Sequence, residues 1–383
     1  MAKAFFKVFL ALALIGPFVC FGQEQSKWEI KGYIKGMMMS TQDPYQGDQL
    51  LSEFAQSRLR NDWTISKHIS FRMDARLSLY AGDLVERYPM IYEIMDNDPG
   101  IVDLTMENDF VDNYLTVFNV DRLLMDMDYK KWNLTVGRQR INWGVNTLWN
   151  PNDVFNAYDF FDFDYEERPG RDAVRFQYAT GDMSFVELAT AYEDGYDPST
   201  AILYRFNRRG YDWQFLAGKT LGHWLGGLGW AGNIRDLGFK GEVRFTNLDD
   251  DPRWENGVVA SLGIDRTFEP GWYIGLNSFY YGEAKNPLVT SGHTNDNYSS
   301  NITGGSSLSY QRALAVQVTR QFNIKWNSSL VVLYGDGGQW VAMPSLSYSL
   351  GEDLEALLTG MGFYGKAPQQ SNVFLRLKWN FSS

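Results

Sequence analysis

The chain has one cysteine and three histidines. Cys20 falls within a secretory-type leader, so after its removal no thiol remains for a disulfide framework or thiol chemistry. His68 sits in a predicted turn, His223 in a short connection and His293 in a long polar loop. None shares a strand face with a nucleophile and an acid, so no Ser-His-Asp or Asp-His hydrolase site is visible. Such dispersed histidines also give a transition metal no ligand set, and nothing calls for a cofactor. Gly226-Gly227-Leu228-Gly229 lacks a following Lys-Ser or Lys-Thr and is no phosphate loop. No segment after the leader approaches 18 uninterrupted apolar residues, so no transmembrane helix is expected.

The leader is read over residues 1–22. Lys3 and Lys7 form the charged start, Val8 to Ile15 the apolar run, and Cys20 and Gly22 the small residues before cleavage ahead of Gln23. Residues 23–383 then form a single domain with 33 basic and 46 acidic residues, a balance of −13 once Lys3 and Lys7 are removed from the total. Such a chain is a poor partner for nucleic acid.

What is abundant is aromatic residues and glycine: 13 Trp, 22 Tyr, 25 Phe and 36 Gly. With modest hydropathy and no mature cysteine, this composition suits an all-β transmembrane antiparallel barrel, whose signal per segment is weak. Residues 69–81 carry the pattern most cleanly. Ile69, Phe71, Met73, Ala75, Leu77 and Leu79 alternate with Ser70, Arg72, Asp74, Arg76, Ser78 and Tyr80. A strict period of two places the sets on opposite faces of one strand. It exceeds the roughly 9–11 residues that a tilted strand needs to cross a bilayer.

Comparable segments are 27–39, 54–65, 69–81, 116–129, 132–141, 173–180, 183–193, 200–208, 211–221, 224–233, 238–247, 256–268, 271–282, 306–321, 323–335, 338–350, 353–363 and 371–381. That makes about 18 strands, an even number as single-chain bacterial barrels require. Every second connection is short, for example Lys130-Lys131 and Glu269-Pro270-Gly271, as periplasmic turns are. The alternate ones include 40–53, 82–115, 142–172, 248–255 and 283–305, as extracellular loops do. Trp28, Trp63, Trp132, Trp213, Trp272, Trp326 and Trp379 all fall at strand ends nearest a short turn or a terminus. Indole favours the headgroup level, so they read as a periplasmic girdle.

The polar faces supply the candidate lumen. Lys31, Lys35, Arg58, Arg60, Arg72, Arg76, Arg376 and Lys378 come from the first three strands and the last, which meet when a barrel closes. A charge on the lipid face costs about 2–4 kcal/mol at the midplane, so this basic wall is expected to point inward. Glu29, Asp62 and Asp74 share the face, and a wall of mutually paired charges is the simpler reading. The functional reading brings loop 142–172 into the lumen. Its Asp153, Asp159, Asp162, Asp164, Glu166, Glu167, Arg168 and Arg171 would then form a constriction facing the basic wall. Opposed charges across a narrow opening create a transverse field that filters solutes. Trp143, Trp149, Phe155, Tyr158, Phe160, Phe161 and Phe163 either offer stacking faces to sugars or pack the loop on the wall. Loop 82–115 holds Glu93, Asp96, Asp98, Asp103, Glu107, Asp109 and Asp112, acidic enough for Ca²⁺ but without the spacing of a calcium loop.

The chain closes with Val373, Leu375, Leu377, Trp379 and Phe381 on one face, which resembles the C-terminal strand of outer-membrane barrels, although Ser382-Ser383 follow. The whole mature chain resembles a porin-type barrel. Gly137-Arg138-Gln139, Trp143-Gly144 and Asn150-Pro151-Asn152-Asp153 are similar to the strand-and-loop segment of families that include alginate-export-type channels. The resemblance implies a diffusion channel in the bacterial outer membrane; with charged inward faces and no catalytic constellation, the chain is expected to conduct small polar or anionic solutes passively, without enzymatic activity. Its partners would be outer-membrane lipid, lipopolysaccharide and the solute, with a homo-oligomer left open. The alternative is a non-conducting barrel that serves as a docking or assembly partner.

Overall fold

The computed structural model describes residues 28–43, 46–88, 98, 100–156 except 112 and 113, 170–193, 195–220, 222–247, 257–282, 311–365 and 370–382. The leader lies outside these. The elements in order are β1 (Trp28–Gln42), β2 (Gln49–Ser66), β3 (Ile69–Gly82), a one-turn helix α1 (Asp83–Arg87), β4 (Thr105–Val111), β5 (Tyr114–Tyr129), β6 (Trp132–Gln139) and β7 (Arg171–Gly181). Next come β8 (Ser184–Tyr192), β9 (Ser199–Arg208), β10 (Tyr211–Thr220), β11 (His223–Ile234), β12 (Leu237–Thr246) and β13 (Gly257–Phe268). The last are β14 (Trp272–Tyr281), β15 (Arg312–Gln321), β16 (Trp326–Gly335), β17 (Trp340–Ser349), β18 (Leu354–Tyr364) and β19 (Gln370–Ser382).

Each strand pairs antiparallel with its neighbours, and β1 pairs with both β2 and β19, so the sheet closes. Closure leaves no free edge in the wall, which a lipid environment demands because nothing there replaces a missing backbone hydrogen bond. The seam is in register from Lys31↔Ser382 to Thr41↔Asn372.

The closed wall has eighteen staves, and β4 is the addition that alternation did not reveal. Residues 82–115 read as one acidic loop, yet they contain α1 and β4. β3 pairs directly with β5, and β4 pairs with the other edge of β5 from Thr105↔Asn119 onward. The lower part of that edge belongs to β6, which runs only from Tyr129↔Trp132 to Leu123↔Arg138. β4 therefore covers the stretch of β5 that β6 abandons when the chain turns inward after Gln139. Too few of its residues alternate for the pattern to stand out.

The outward phase forms an apolar belt that includes Ile202, Phe215, Ile274, Leu276, Leu314, Val316, Leu358, Val373, Leu375 and Leu377, all exposed on the bare protein. At the turn end Trp28 lies opposite Trp63, and Trp63 opposite Phe71. Trp272 and Trp326 are exposed at the same level. At the loop end Trp340 stacks on Tyr364 with centroids 4.5 Å apart. An apolar belt bounded by aromatic girdles on a closed antiparallel barrel is the architecture of bacterial outer-membrane proteins, and it places the chain in that membrane. No helix of the described residues is long and apolar enough to cross one.

Candidate functional site

After Gln139 the chain leaves the wall, and residues 141–156 lie against its inward face. The anchors come from β8, β10, β11 and β12 in turn. The Trp143 indole donates to Glu187 (2.7 Å), and Gln214 Nε2 donates to the Trp143 carbonyl (2.8 Å). Asn152 Nδ2 donates to the Leu228 carbonyl (3.0 Å), and Arg244 donates to the Pro151 carbonyl (2.8 Å). Glu242 lies at the centre of this set. Its Oε1 accepts the backbone N–H groups of Val145 (2.5 Å) and Asn146 (2.8 Å), and its Oε2 accepts that of Asn152 (2.8 Å). A loop without secondary structure must find partners for its buried backbone groups, and here the barrel wall provides them.

Packing completes the attachment. Trp149 is 1% exposed and stacks on Phe279 of β14 at 5.3 Å. Leu148 and Trp149 join Val259, Tyr281, Ala315, Leu333, Val341, Met361 and Phe374 in one apolar cluster. All of these wall residues are in the inward phase toward the loop end, so the interior of β13 to β19 is not the uniformly polar surface that alternation suggests. Trp143 meets Phe155 edge-on at 5.0 Å in a second cluster with Ile141, Val154, Ala189, Leu203 and Leu216. Each large aromatic contributes about 1.5–3 kcal/mol when fully buried. Trp143, Trp149 and Phe155 thus pack the loop and present no stacking face; Tyr158, Phe160, Phe161 and Phe163 lie outside the described residues.

The motif read from the sequence is largely the kit for this attachment. Gly137 has φ 114, and a Cβ there would strike the Leu123 carbonyl oxygen. Gln139 bridges to the carbonyls of Thr135 and Ala173. Asp153, fully buried, accepts the Trp143 N–H (3.3 Å). Arg171 donates to the Phe155 carbonyl (3.1 Å) and pairs with Glu193 (3.0 Å). Burial pushes the Glu193 carboxyl up despite that guanidinium. Asp153 and Arg171 are therefore anchors within the loop. Asp159, Asp162, Asp164, Glu166, Glu167 and Arg168 lie outside the described residues.

Arg138 has a separate task. By register it shares the outward phase with Val136 and pairs across to Asp172. It donates to Asp172 (2.9 Å), Asp98 (2.5 Å) and the Val102 carbonyl (2.6 Å). It thereby straps the segment before β4 over the wall, and Asp98, read as part of an acidic loop, is one end of the strap.

The residues read as a basic wall lie on adjacent strands β19, β1, β2 and β3, and most of them are paired with acids. Arg58 contacts Asp74 (3.0 Å) and Asp121 (3.2 Å), and Arg76 contacts Asp121 (3.1 Å). Asp62 receives both Arg60 (2.8 Å) and Arg72 (2.6 Å). Arg376 pairs with Glu355 (2.7 Å), and Lys31 with Glu29 (2.7 Å). Lys35 lies near the Tyr33 and Phe54 rings, and Lys378 sits over Tyr33 at 4.7 Å. Strict alternation hides Asp121 in the sequence. The β3–β5 register shifts between Asp74 and Ala75, making Asp121 an extra bulge residue beside Arg122. A bulge lets two successive side chains act on one face.

Beside this wall lies a cavity of about 410 Å³ lined by Asp62, Ser70, Arg72, Arg122, Leu124, Asp126, Thr135, Gln139, Arg140 and Arg175. Four arginines and two aspartates line it. Asp126 accepts from Asn133 and Thr135, and Asp62 is held by Arg60 and Arg72.

No protein-family model matches the sequence, nor does any curated protein. Solved structures do. OprD from Pseudomonas aeruginosa matches with TM-score 0.60 and 10% identity, covering 93% of this chain and 94% of that one. OccAB3 from Acinetobacter baumannii matches at 0.59 and 10%, covering 93% and 99%. Pseudomonas aeruginosa OpdK with vanillate matches at 0.58 and 9%, also covering 93% and 99%. At these identities the likeness establishes a porin-type barrel fold; it lends no support to the alginate-export-type resemblance.

Proposed function

We propose that the chain is an outer-membrane channel for passive diffusion of small polar or anionic solutes, filtered by charge, with no covalent step. The carrying observation is the lumen cavity in which Arg72, Arg122, Arg140 and Arg175 outnumber Asp62 and Asp126. An eighteen-stranded barrel encloses more space than wall side chains fill, and side-chain charge around such a path sets ion preference. The loop 141–156, fixed against β8 to β14, narrows the lumen from the opposite side. In this reading the barrel sits among outer-membrane lipid and lipopolysaccharide. Reversal potentials in planar bilayers test it: the wild type is expected to favour anions, and Arg72→Ser with Arg175→Ser to lose part of that preference. Unchanged selectivity would sink the basic-wall role. Liposome swelling with sugars, amino acids and organic acids, aromatic acids included, would define the solute.

A second reading is favoured by the apolar clusters inside the loop end of the barrel. There Trp149, Phe279 and Phe374 build a core, as in a barrel plugged by its own chain that serves as a docking platform. A large steady single-channel conductance decides for the channel, and a silent barrel that copurifies with a partner for the platform.

A further inference from the structure

The Glu242 side chain holds the loop at two separated points. Val145 and Asn146 come before the Trp149 knob and Asn152 after it, and all three backbone N–H groups converge on one carboxyl group. Its side chain is inaccessible to solvent. The inward neighbours on the same strand bind the same stretch: Arg244 holds the Pro151 carbonyl, and Lys240 approaches the Thr147 hydroxyl (3.1 Å). A carboxyl group offers two acceptor oxygens, with lone pairs enough for three donors. Gln has one acceptor oxygen, and Lys and Arg have none.

We infer that Glu242 is the positioning residue of the channel opening: by tying both limbs of the loop to β12, it sets the loop's distance from the arginine-lined cavity. This rests on the channel reading for its consequence, while the tie itself can be measured without it. An amide in place of the carboxyl keeps the volume but has one acceptor oxygen and turns an N–H₂ donor toward one limb. Glu242→Gln therefore releases one limb, most simply at Asn152, whose N–H faces the second oxygen alone. Glu242→Asp keeps the charge and withdraws it by one methylene, out of reach of both limbs together.

The test combines hydrogen exchange in detergent with single-channel recording. The Asn152 amide in Glu242→Gln, and the amides of Val145, Asn146 and Asn152 in Glu242→Asp, are expected to exchange about tenfold faster, as the loss of one such hydrogen bond implies. Heat-modifiable mobility of the barrel should persist. Open-channel noise is expected to rise several-fold in both variants. Asp236→Asn, in the exposed turn between β11 and β12, should change neither reading. Unaltered exchange in a folded Glu242→Gln barrel overturns the tie, whether or not the wild type conducts. Faster exchange with a silent wild type leaves the tie standing and removes the channel reading. If the wild type conducts and only Glu242→Gln changes the current, through selectivity alone, Glu242 is a lumen charge and not a positioning residue.

Discussion

The two sides of the barrel interior differ in what they do with inward-facing positions. From β2 to β7 these positions carry Arg58, Arg60, Arg72, Arg76, Asp62, Asp74 and Arg175, paired in part and bordering an open cavity. From β13 to β19, toward the loop end, they carry Val259, Phe279, Ala315, Leu333, Val341 and Phe374, closed over by Leu148 and Trp149. The same period of two builds both walls, so periodicity decides which face is inward and leaves open whether the inside is water or core. A barrel that folds its own loop inward needs a greasy wall to receive it and a wet wall to leave a path.

The largest expected effect falls on the greasy side. Trp149→Ala removes a fully buried indole stacked on Phe279 and should cost the loop attachment about 3–5 kcal/mol. Hydrogen exchange over residues 141–156 would report it, with the strands themselves little affected. If exchange there is unchanged, the apolar wall is not what receives the loop. Next comes the strap. Arg138→Ala leaves Asp98 and Asp172 facing each other without their shared cation, and a broken buried pair costs roughly 3 kcal/mol or more. Limited proteolysis should then cut within residues 98–104 while the barrel stays heat-modifiable. Resistance equal to wild type would mean that β4 is held by its pairing with β5 alone.

Much of this architecture was legible. Eighteen alternating segments, the short-turn rhythm and the tryptophan girdle all rest on interactions local to one hairpin, where sequence spacing is spatial spacing. The adjacency of the strands that carry Lys31, Arg58, Arg72 and Arg376 needed only the further fact that last and first strands meet. Three things were hidden because they depend on tertiary pairing. β4 lies within an acidic stretch and is stabilised by the vacancy above β6, which no local pattern announces. Asp121 breaks the alternation by being a bulge residue. Glu242 reads as one more inward acid between Lys240 and Arg244, and only the inward turn of a loop some 90 residues earlier brings donors to it. The Asn150-Pro151-Asn152-Asp153 motif marks the loop as special, but Asp153, with Arg171, anchors the loop rather than facing the opening as the sequence suggests.

On the wet side effects are smaller, because these charges are partly hydrated and screened. Arg72→Ser with Arg175→Ser should reduce the anion-to-cation permeability ratio by about two- to fivefold, in line with roughly 0.5–1 kcal/mol for partly exposed charges. Counter-mutations on the greasy side that keep its volume, such as Leu333→Met, should leave that ratio alone. A shift there as large as on the arginine side would erase the functional division between the walls.

The smallest effect has the opposite sign and so gives the sharpest check. Asp62 is shared by Arg60 at 2.8 Å and Arg72 at 2.6 Å and stands at the edge of the cavity. Asp62→Asn removes one negative charge and releases two guanidinium groups toward the lumen. The reversal potential should therefore move toward anions, by a permeability factor of about 1.5–3 at low salt. The Debye length falls from about 10 Å at 0.1 M to about 3 Å at 1 M, so this shift should fade as salt rises. Arg58, closed in by Asp74 and Asp121, lies where salt screens poorly, and its pairs should not respond in the same way. A shift toward cations on Asp62→Asn, or one insensitive to salt, would mean that permeating ions do not pass this wall at all.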